Sequence, residues 1–334
     1  MGVLDGKVAV ITGAGRGIGR EEALLMASLG ARVVVNDLGV PFDGQGADER
    51  PAALVAGEIR EAGGSASANF SDVATQAGAD ELIAQAIDEF GRLDILVNNA
   101  GILRDGMLFS IDPGQWQAVI EVHLLGHFLP TRAAARYWRG ESKRAESKKT
   151  ESAKTGESKT DVEPPHRALI HTSSESGLFG NAGQSNYDVA KLGIVSLTVA
   201  ASRELARYGV TSNAIAPRAR TRMTTGTFES SGRAHEFAER EGFDPMDPAN
   251  IAPFVAYLGS DLARHITGQV FILYGGVVGR VRLPYLESTI AKAGTWTVEE
   301  LAEQSGDLFT ERPADHLEAP RGYARLPKQP ALAQ

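Results

Sequence analysis

The sequence predicts an α/β protein built on a Rossmann-type, doubly wound parallel sheet of about seven strands with helices on both faces. Short apolar runs alternate along the chain with longer segments of helical periodicity, which is the order of a repeated strand–helix unit. The first apolar run ends in a glycine-rich turn, and the second ends in an acidic residue. With 334 residues, 43% of them hydrophobic, the chain can bury one large core, so we expect a single domain over residues 1–334.

The first half of the chain alternates strands and helices. An apolar run at residues 8–12 predicts the first strand, and residues 32–35 predict the second, with Asn36 and Asp37 at its end. Gly, Pro and Asp in residues 39–51 predict a loop. The other predicted elements are helices at 20–29, 52–62 and 80–90 and strands at 67–70 and within 93–101.

A charged, low-complexity segment interrupts the second half. After a predicted helix at 115–138, residues 139–167 repeat Glu, Ser and Lys with almost no apolar side chains. Such a segment cannot bury enough surface to offset its ordering entropy, so we expect a flexible insertion into which the helix extends a turn or two. A solvated spacer is the favoured interpretation, and a partner-binding arm is the alternative.

Three further strands complete the predicted sheet, at 168–172, 211–216 and 266–273, with a long helix at 186–208. The polar residues 218–248 stand where a ligand lid is usual. Residues 280–334 are expected to form a C-terminal extension, in which Thr297 and Glu300 make a capping box for a short helix before an extended end.

Composition narrows the possible function classes. The absence of cysteine excludes disulfides and thiolate metal sites. A formal net charge of -8 argues against nonspecific nucleic-acid binding. Residues 1–11 do not have the pattern of a targeting segment, and no apolar run is long enough to cross a bilayer. We therefore expect a soluble, cytoplasmic protein without a nucleic-acid or membrane partner.

The glycine-rich turn TGAGRGIG at residues 12–19 predicts a dinucleotide site. Glycines remove side chains where the backbone approaches a pyrophosphate, and the following helix directs its N-terminus at the negative charge. The turn follows a strand, opens a helix and precedes an acid at the end of the next strand, which is the context such a site requires. Its glycines are Gly13, Gly15, Gly17 and Gly19.

Asp37 favours NAD over NADP as the cofactor. A carboxylate at the end of the second strand accepts hydrogen bonds from the adenosine ribose hydroxyls and repels a 2'-phosphate. Arg16, within the turn, argues in the other direction because an arginine can attract that phosphate, but the closer acid is expected to dominate.

Tyr187 and Lys191 are four residues apart and share one face of a helix. A free tyrosine has a pKa near ~10, so acid–base work at neutral pH requires a drop of about three units, or roughly 4 kcal/mol. A unit charge ~4 Å away supplies about that energy at an effective dielectric constant of ~20. Ser174, thirteen residues before the tyrosine, is the candidate that holds the substrate oxygen.

With these motifs, the chain resembles the short-chain dehydrogenase/reductase family over about residues 5–277. TGAGRGIG, NNAG at 98–101, Ser174, the Tyr187-to-Lys191 spacing and NAIAP at 213–217 match in order. Other segments, including VVVNDLG and SGLFGNAGQSNY, resemble the (3R)-hydroxyacyl-CoA dehydrogenase part of peroxisomal multifunctional enzymes type 2. The resemblance implies a homodimer or homotetramer built on the long helices.

The resemblance also implies roles for individual residues. Tyr187 would be the acid–base, Lys191 would assist it and bind the nicotinamide ribose, and Ser174 would orient the carbonyl or hydroxyl. The implied cofactor-binding residues are Gly13, Gly15, Arg16, Gly17, Ile18, Gly19, Asp37, Asp72, Val73, Asn98, Ala100, Gly101, Tyr187, Lys191, Pro217 and Thr221.

Two departures from the family pattern are informative. His123 replaces the usual asparagine and is a candidate for a modified proton relay, while a buried histidine with a backbone partner is the alternative. His127 follows four residues later, but without a third ligand no metal site is expected. In PRARTRM at 217–223, three arginines are candidates for a CoA phosphate or an acidic substrate, although pairing with surface carboxylates or water is the favoured interpretation.

These observations predict an NAD-dependent oxidoreductase that interconverts a secondary alcohol and a ketone, with a 3-hydroxyacyl-CoA-type substrate favoured. A hydroxysteroid of the 17β type is the alternative substrate that the resemblance implies, since the same subfamily includes that activity. Both substrate classes carry bulky apolar groups, so the sequence does not separate them. A dinucleotide-binding sensor or scaffold without turnover is the alternative from another class. The complete Ser-Tyr-Lys set argues against a sensor, which has no need of all three residues.

Overall fold

The computed structural model describes residues 2–39, 50–155, 165–221, 242–284 and 288–308, and the side chains of 149–155 are not among the described ones. Their strands form one sheet in the order β3-β2-β1-β4-β5-β6-β7-β8. Neighbouring strands are parallel except for the last pair, β7 and β8, which is antiparallel. The strands are β1 (Val8–Thr12), β2 (Arg32–Asn36), β3 (Ser65–Asn69), β4 (Ile95–Asn98), β5 (Arg167–Thr172), β6 (Val210–Pro217), β7 (Val270–Tyr274) and β8 (Val277–Val281).

Helices cover both faces of the sheet, which confirms the predicted doubly wound α/β class. The α-helices are α1 (Gly17–Ser28), α2 (Arg50–Glu61), α3 (Gln76–Phe90), α4 (Pro113–Val119), α5 (Gly126–Thr155), α6 (Glu175–Phe179), α7 (Ser185–Glu204), α8 (Ala252–Gly259) and α9 (Val298–Gln304). A π-helical turn, Ile120–Leu125, joins α4 to α5, and short 3₁₀ turns lie at Ala206–Tyr208, Pro248–Asn250, Asp261–Ala263 and Ser305–Leu308.

The strand sequences explain the two cores. In a strand, alternate side chains point to opposite faces, so a strand covered on both faces reads as a continuous apolar run. Ile11 and Val33 pack with α1, α2 and α8 on one face. Val10 and Leu96 pack with α3 and α5 on the other, where Trp138 is completely buried. Each hydrophobic run therefore stabilises both layers at once.

The sheet has eight strands, one more than the predicted number of about seven. The additional strand, β8, is separated from β7 by a two-residue turn, which Gly275 and Gly276 form. Gly275 has a positive φ angle of 49°, which suits a tight hairpin. The strand occupies residues up to Val281, so it overlaps the start of the predicted extension at 280–334. The Gly-Gly turn is a signal for a hairpin that the sequence interpretation did not use.

Helix α5 runs much farther than predicted. It continues to Thr155, about four turns past the expected start of the insertion at 139. Glu, Lys, Arg and Ala are strong helix formers, and pairs such as Glu141 with Arg144, at 2.5 Å, support an exposed helix. The low apolar content of this segment therefore excludes it from the hydrophobic core, but it does not exclude a solvent-exposed helix. Residues 156–164 of the expected flexible insertion lie outside the described residues.

The C-terminal part agrees with the predicted capping box. Thr297 Oγ1 accepts a hydrogen bond from the Glu300 amide at 3.2 Å, and Glu300 Oε2 accepts one from the Thr297 amide at 2.7 Å. Most of the expected lid at 218–248 and the expected extended end fall on residues 222–241 and 309–334, outside the described ranges. Within those ranges, no helix combines the length and the apolar character that a membrane span needs.

Glu22 is an acidic side chain inside the core. It lies on the buried face of α1, completely shielded from solvent, and neither carboxyl oxygen has a hydrogen-bond partner among the described residues. Burial raises the pKa of Glu22 to about 8, against an ordinary value of 4.5. Between these two pH values the unfolded chain releases a proton that the folded chain keeps, so folding stability falls as the pH rises.

We predict that Glu22→Met raises the melting temperature at pH 8 by more than it does at pH 4. In the wild type, the loss of folding stability caused by the raised pKa of Glu22 is complete above pH 8 and absent below pH 4.5. The methionine side chain of the variant has no charge to bury. Thermal unfolding followed by circular dichroism across this pH range measures the effect. Glu61→Gln, at an exposed position of α2, is the control. An equal shift at both pH values would contradict the prediction.

Candidate active site

The glycine-rich turn between β1 and α1 is too closely packed to accept side chains. A Cβ atom built on Gly13 would lie 2.8 Å from the Cα atom of Ala100, and one on Gly15 would lie 2.6 Å from the Cβ atom of Pro51. Gly13 and Gly17 also have positive φ angles, 63° and 54°, which favour glycine. The turn is therefore a bare backbone surface held between the end of β4 and the start of α2.

This surface fits a dinucleotide pyrophosphate. Arg16 is the N-cap residue of α1, and its guanidinium carries only donors, so it cannot accept hydrogen bonds from the amides of the first helical turn. Thr221 reaches the same turn, where its Cγ2 atom lies 3.5 Å from a Cβ built on Gly17. The structure thus gathers at one place the predicted cofactor residues Gly13, Gly15, Arg16, Gly17, Ile18, Gly19 and Thr221.

Asp37 lies beside the turn, directly after β2. Its Oδ2 atom accepts a hydrogen bond from the Gly15 amide at 2.8 Å, and its Oδ1 atom accepts one from the Gly39 amide at 2.7 Å. A Cβ on Gly15 would come within 2.7 Å of the same carboxylate. The glycine and the acid are therefore a matched pair, with the carboxylate held directly beside the turn.

The other predicted cofactor residues stand at the same edge of the sheet. Asp72 and Val73 follow β3, and the Asp72 Oδ1 atom accepts a hydrogen bond from the Ala74 amide at 2.9 Å. Asn98 ends β4 with its side chain fully buried, donating to Thr131 Oγ1 at 3.0 Å on α5. Asn98 therefore acts by connecting β4 to α5 beneath this edge of the sheet. Ala100 and Gly101 follow β4, and Pro217 ends β6.

Short contacts hold the serine, tyrosine and lysine segments together. Ser173 donates its hydroxyl to the Lys191 carbonyl at 2.8 Å, and a Cβ on Gly177 would lie 2.7 Å from the Lys191 Cβ. Ser174 is the N-cap of α6, where its Oγ atom accepts from the Ser176 amide at 3.2 Å. The Lys191 Nζ atom lies 5.3 Å from the centre of the Tyr187 ring. The predicted trio is thus carried by β5, α6 and α7 at one end of the sheet.

Lys191 is a buried amine. Its Nζ atom donates to the Thr172 carbonyl at 2.6 Å, and its side chain is 2% exposed. Burial lowers the pKa of Lys191 from 10.5 to about 7 because the charged form loses its hydration. At neutral pH the amine can therefore both bind and release a proton.

His123 lies in the π-helical turn and faces Tyr187. The two rings meet edge to face with centres 5.1 Å apart. The His123 Nε2 atom lies 2.8 Å from the Ile102 carbonyl oxygen, and Nδ1 has no partner among the described residues. Burial lowers the pKa of His123 well below its usual range, and the Lys191 charge lowers it further. A Cβ on Gly101 would lie 2.3 Å from this ring, so position 101 requires glycine.

A buried pair of stacked histidines, His127 and His171, lies near the lysine and was not predicted as part of the site. The His127 and His171 rings stack with centres 5.7 Å apart, and His171 Nδ1 lies 3.3 Å from Asn98 Nδ2. Burial lowers the pKa of His171 to about 3. A histidine inside the apolar strand LIHT was the available signal. In the ranges that the structure describes, no group of three or more His, Cys, Asp or Glu side chains is arranged to hold a metal ion.

Two of the three loop arginines are paired with carboxylates; the favoured interpretation, a surface pair, describes Arg220 but not Arg218, whose partner lies in the interior. Arg218 forms a buried pair with Glu175, and its Nη2 atom lies 2.7 Å from Glu175 Oε1. Arg220 pairs with Asp244 at 2.7 Å on the surface. Arg222 lies outside the described residues. These contacts do not support the alternative in which Arg218 or Arg220 meets a CoA phosphate.

Comparison with protein families gives two matches. The family described as short chain dehydrogenase matches residues 7–147, and the family described as Enoyl-(Acyl carrier protein) reductase matches residues 155–278. A crystal structure of a short chain dehydrogenase from Mycobacterium avium is similar with a TM-score of 0.76 and 44% identity, covering 94% of this chain and 98% of that chain.

Two curated relatives are informative. The chain is 45% identical to the hydroxyacyl-CoA dehydrogenase ChsB1 of Mycobacterium tuberculosis over 310 residues, which are 92% of this chain and 90% of that protein. It is 43% identical over 254 residues to the peroxisomal multifunctional enzyme type 2 of Drosophila melanogaster. That match covers 76% of this chain but only 36% of the longer relative.

We predict that Lys191→Met raises the melting temperature at pH 7 and that the difference shrinks toward pH 10.5. Between these values the unfolded chain binds a proton that the folded chain does not, so wild-type stability rises with pH over this window. Each kcal/mol gained corresponds to about 1–2 °C in a chain of 334 residues, because the unfolding entropy is about 2.1 cal/mol/K per residue. Thermal unfolding measures it, with exposed Lys143→Met as control. A loss of stability at pH 7 would contradict the prediction.

Proposed function

Because this chain belongs to the short-chain dehydrogenase family, we propose that it is an NAD-dependent dehydrogenase that interconverts the alcohol and the ketone of a 3-hydroxyacyl-CoA-type substrate. Family membership confirms the resemblance drawn from the motifs and makes the chain an oxidoreductase acting on CH–OH groups. The observation that carries the substrate class is the match over nearly the full length to a hydroxyacyl-CoA dehydrogenase.

Tyr187 is the proposed acid–base of the reaction. It would take the proton from the substrate hydroxyl during oxidation and return it to the carbonyl oxygen during reduction. The charged form of Lys191, 5.3 Å from the ring centre, stabilises the tyrosinate that forms after proton release. When bound, the nicotinamide dinucleotide supplies the hydride chemistry, and we propose that Lys191 also holds its ribose.

Ser174 is the proposed orienting group for the substrate oxygen. Its Oγ atom already accepts a hydrogen bond from the Ser176 amide, which fixes the direction of the side chain. A hydroxyl has one proton to donate in addition to its acceptor sites, so Ser174 can still donate to the substrate. The cap contact therefore orients the hydroxyl while leaving its donor for catalysis.

His123 is proposed to receive the proton beyond Lys191. The Ile102 amide donates to His123 Nε2 at 3.1 Å in one tautomer of the ring. In the other tautomer the Nε2–H donates to the Ile102 carbonyl, and the Nδ1 atom is an acceptor without a partner among the described residues. A neutral imidazole in this form can accept a hydrogen bond from an ordered water and pass on a proton. The bond to Ile102 equally fits the alternative of a structural histidine, so the relay role stays a prediction.

An apolar rim supports an acyl substrate over a compact polar one. Met107, Leu108 and Phe109 form this rim, and Leu108 and Phe109 are 73% and 86% exposed. The Gly106 amide donates to the Gly183 carbonyl at 2.8 Å, which holds the rim beside the segment that leads into α7 and Tyr187. The relatives do not favour the hydroxysteroid alternative. The complete set of Ser174, Tyr187 and Lys191 disfavours a sensor without turnover.

The experiment that tests the proposal is a panel of 3-hydroxyacyl-CoAs and 17β-hydroxysteroids, assayed with NAD and then NADP. We expect the highest kcat/KM for a 3-hydroxyacyl-CoA with NAD. Tyr187→Phe removes the acid–base hydroxyl and should lower kcat by about 10²–10⁴, with cofactor binding near normal. A steroid preference would overturn the substrate class, and unchanged turnover of the variant would overturn the role of Tyr187.

The choice of NAD rests on Asp37. The carboxylate is bound to the Gly15 amide at the turn, where it would accept the ribose hydroxyls and repel a 2'-phosphate. Arg16, Arg20 and Arg50 line the adjoining pocket and are the opposing influence. Arg20 is already paired with Glu58 at 2.5 Å, which reduces its attraction for a phosphate.

We predict that Asp37→Ala lowers the ratio of kcat/KM for NAD to that for NADP by about 10–100-fold. A hydrogen bond to a charged group contributes roughly 1.5–3 kcal/mol, and the variant also removes the repulsion of the 2'-phosphate. Steady-state kinetics with both cofactors measures the ratio. Asp72→Ala, at the end of β3, is the comparison, since it should weaken both cofactors alike. A wild type that prefers NADP would refute the proposal.

The oligomer and the location remain proposals. Apolar side chains that are 37–51% exposed line α5, α7 and the π-helical turn, namely Leu125, Phe128, Val189 and Leu192. This exposed apolar surface supports the proposed homodimer or homotetramer, in which a second copy of the chain would cover it. We also propose a cytoplasmic location. Several relatives are named as peroxisomal, so cell fractionation is the direct measurement.

A further inference from the structure

Glu175 and Arg218 form an ion pair in the interior beside the proposed substrate site. Both are nearly shielded from solvent, with 4% and 7% exposure. The Arg218 Nη2 atom donates to Glu175 Oε1 at 2.7 Å, and Nε donates to Oε2. The guanidinium also lies over the Tyr274 ring, 5.1 Å from its centre. The two parallel hydrogen bonds and the stacked ring together fix the orientation of the Arg218 guanidinium relative to the Glu175 carboxylate.

The pair connects the segment that carries Ser174 to the loop that begins at Pro217, and the proposed reaction needs these two segments in a fixed relative position. Glu175 directly follows Ser174 and begins α6. Arg218 directly follows Pro217 at the end of β6 and precedes Thr221, which touches the glycine-rich turn at Gly17. The ion pair is therefore a side-chain connection between the segment of the proposed substrate-orienting serine and the proposed cofactor side of the site.

Each end of this connection is anchored. The Arg218 amide donates to the Leu273 carbonyl at 2.8 Å, which fixes its backbone to β7. On the other side, the contact of Gly177 with the Lys191 Cβ leaves α6 no room to move toward α7. A shift of Glu175 would therefore move the Ser174 hydroxyl relative to both Lys191 and the cofactor loop.

We propose that Arg218 is a positioning residue that acts through Glu175 to hold Ser174 in register with the loop that begins at Pro217. Arg218 touches neither substrate nor cofactor in this role. The proposal rests on the proposed orienting function of Ser174. Removing one partner would leave the other charge buried and unpaired, so the serine segment would relax.

The test is a double-mutant cycle between Arg218→Leu and Ser174→Ala, with kcat and both KM values measured for each variant. We expect Arg218→Leu to lower kcat about 10-fold or more in the wild-type background and less than about 3-fold in the Ser174→Ala background. A purely structural defect would lower kcat by the same factor in both backgrounds, and that result would overturn the proposal.

Arg92→Leu is the control for the loss of a two-pronged arginine–carboxylate pair, although Arg92 is half-exposed and Arg218 is buried. Arg92 also forms a two-pronged pair, at 2.8 and 2.6 Å with Asp94, but at the opposite end of β4. We expect it to affect thermal stability with little change in kcat. If Arg92→Leu lowers kcat as much as Arg218→Leu does, the effect reflects general destabilisation and the proposal fails.

Two further variants keep the outcome decisive if Arg218→Leu does not fold. Arg218→Lys keeps the charge without the planar fork, and Glu175→Gln keeps the shape without the charge. Either variant should lower kcat more in the wild-type background than in the Ser174→Ala background. Ser174→Ala alone distinguishes a failure of the orienting role of Ser174 from a failure of the positioning role of Arg218. An unchanged kcat there overturns the role of Ser174 itself, whereas a large loss with additive Arg218 effects overturns only the positioning role.

Discussion

The burial of one positive charge sets the conditions for the rest of the site. Lys191 is held away from solvent with its Nζ atom on the Thr172 carbonyl, and its pKa is lowered to about 7. The amine that costs folding stability is thus the one that can exchange a proton at neutral pH. Contacts with Ser173 and Gly177 hold the backbone and the Cβ atom of the lysine in place.

Sheet topology brings the remaining groups to this lysine. The strand order reverses next to β1, whose neighbours are β2 and β4, and a crevice forms at the carboxyl ends of these strands. Asp37 stands after β2 and Asn98 ends β4, while β5 leads directly into Ser174. Residues far apart in sequence therefore meet because parallel strands all end at one edge.

Local patterns in the sequence were sufficient for much of this arrangement. The spacing within residues 12–19 and between Tyr187 and Lys191 reflects one turn or one helix face, so it is visible without a fold. The Arg218–Glu175 pair joins residues 43 positions apart, and no local pattern links them. The length of α5 was underestimated because a charged, exposed helix and a solvated coil share the same composition.

The π-helical turn Ile120–Leu125 has a consequence for the phase of the helix that follows it. A wider turn accommodates an additional residue, and one residue corresponds to about 100° of rotation around the helix axis. His123 can therefore face Tyr187 while Trp138, farther along α5, still donates its indole N–H to the Leu93 carbonyl at 2.7 Å. An unbroken α-helix through this region would have to give up one of these two orientations, so the irregular turn allows one helix to serve the reaction at its start and the core farther on.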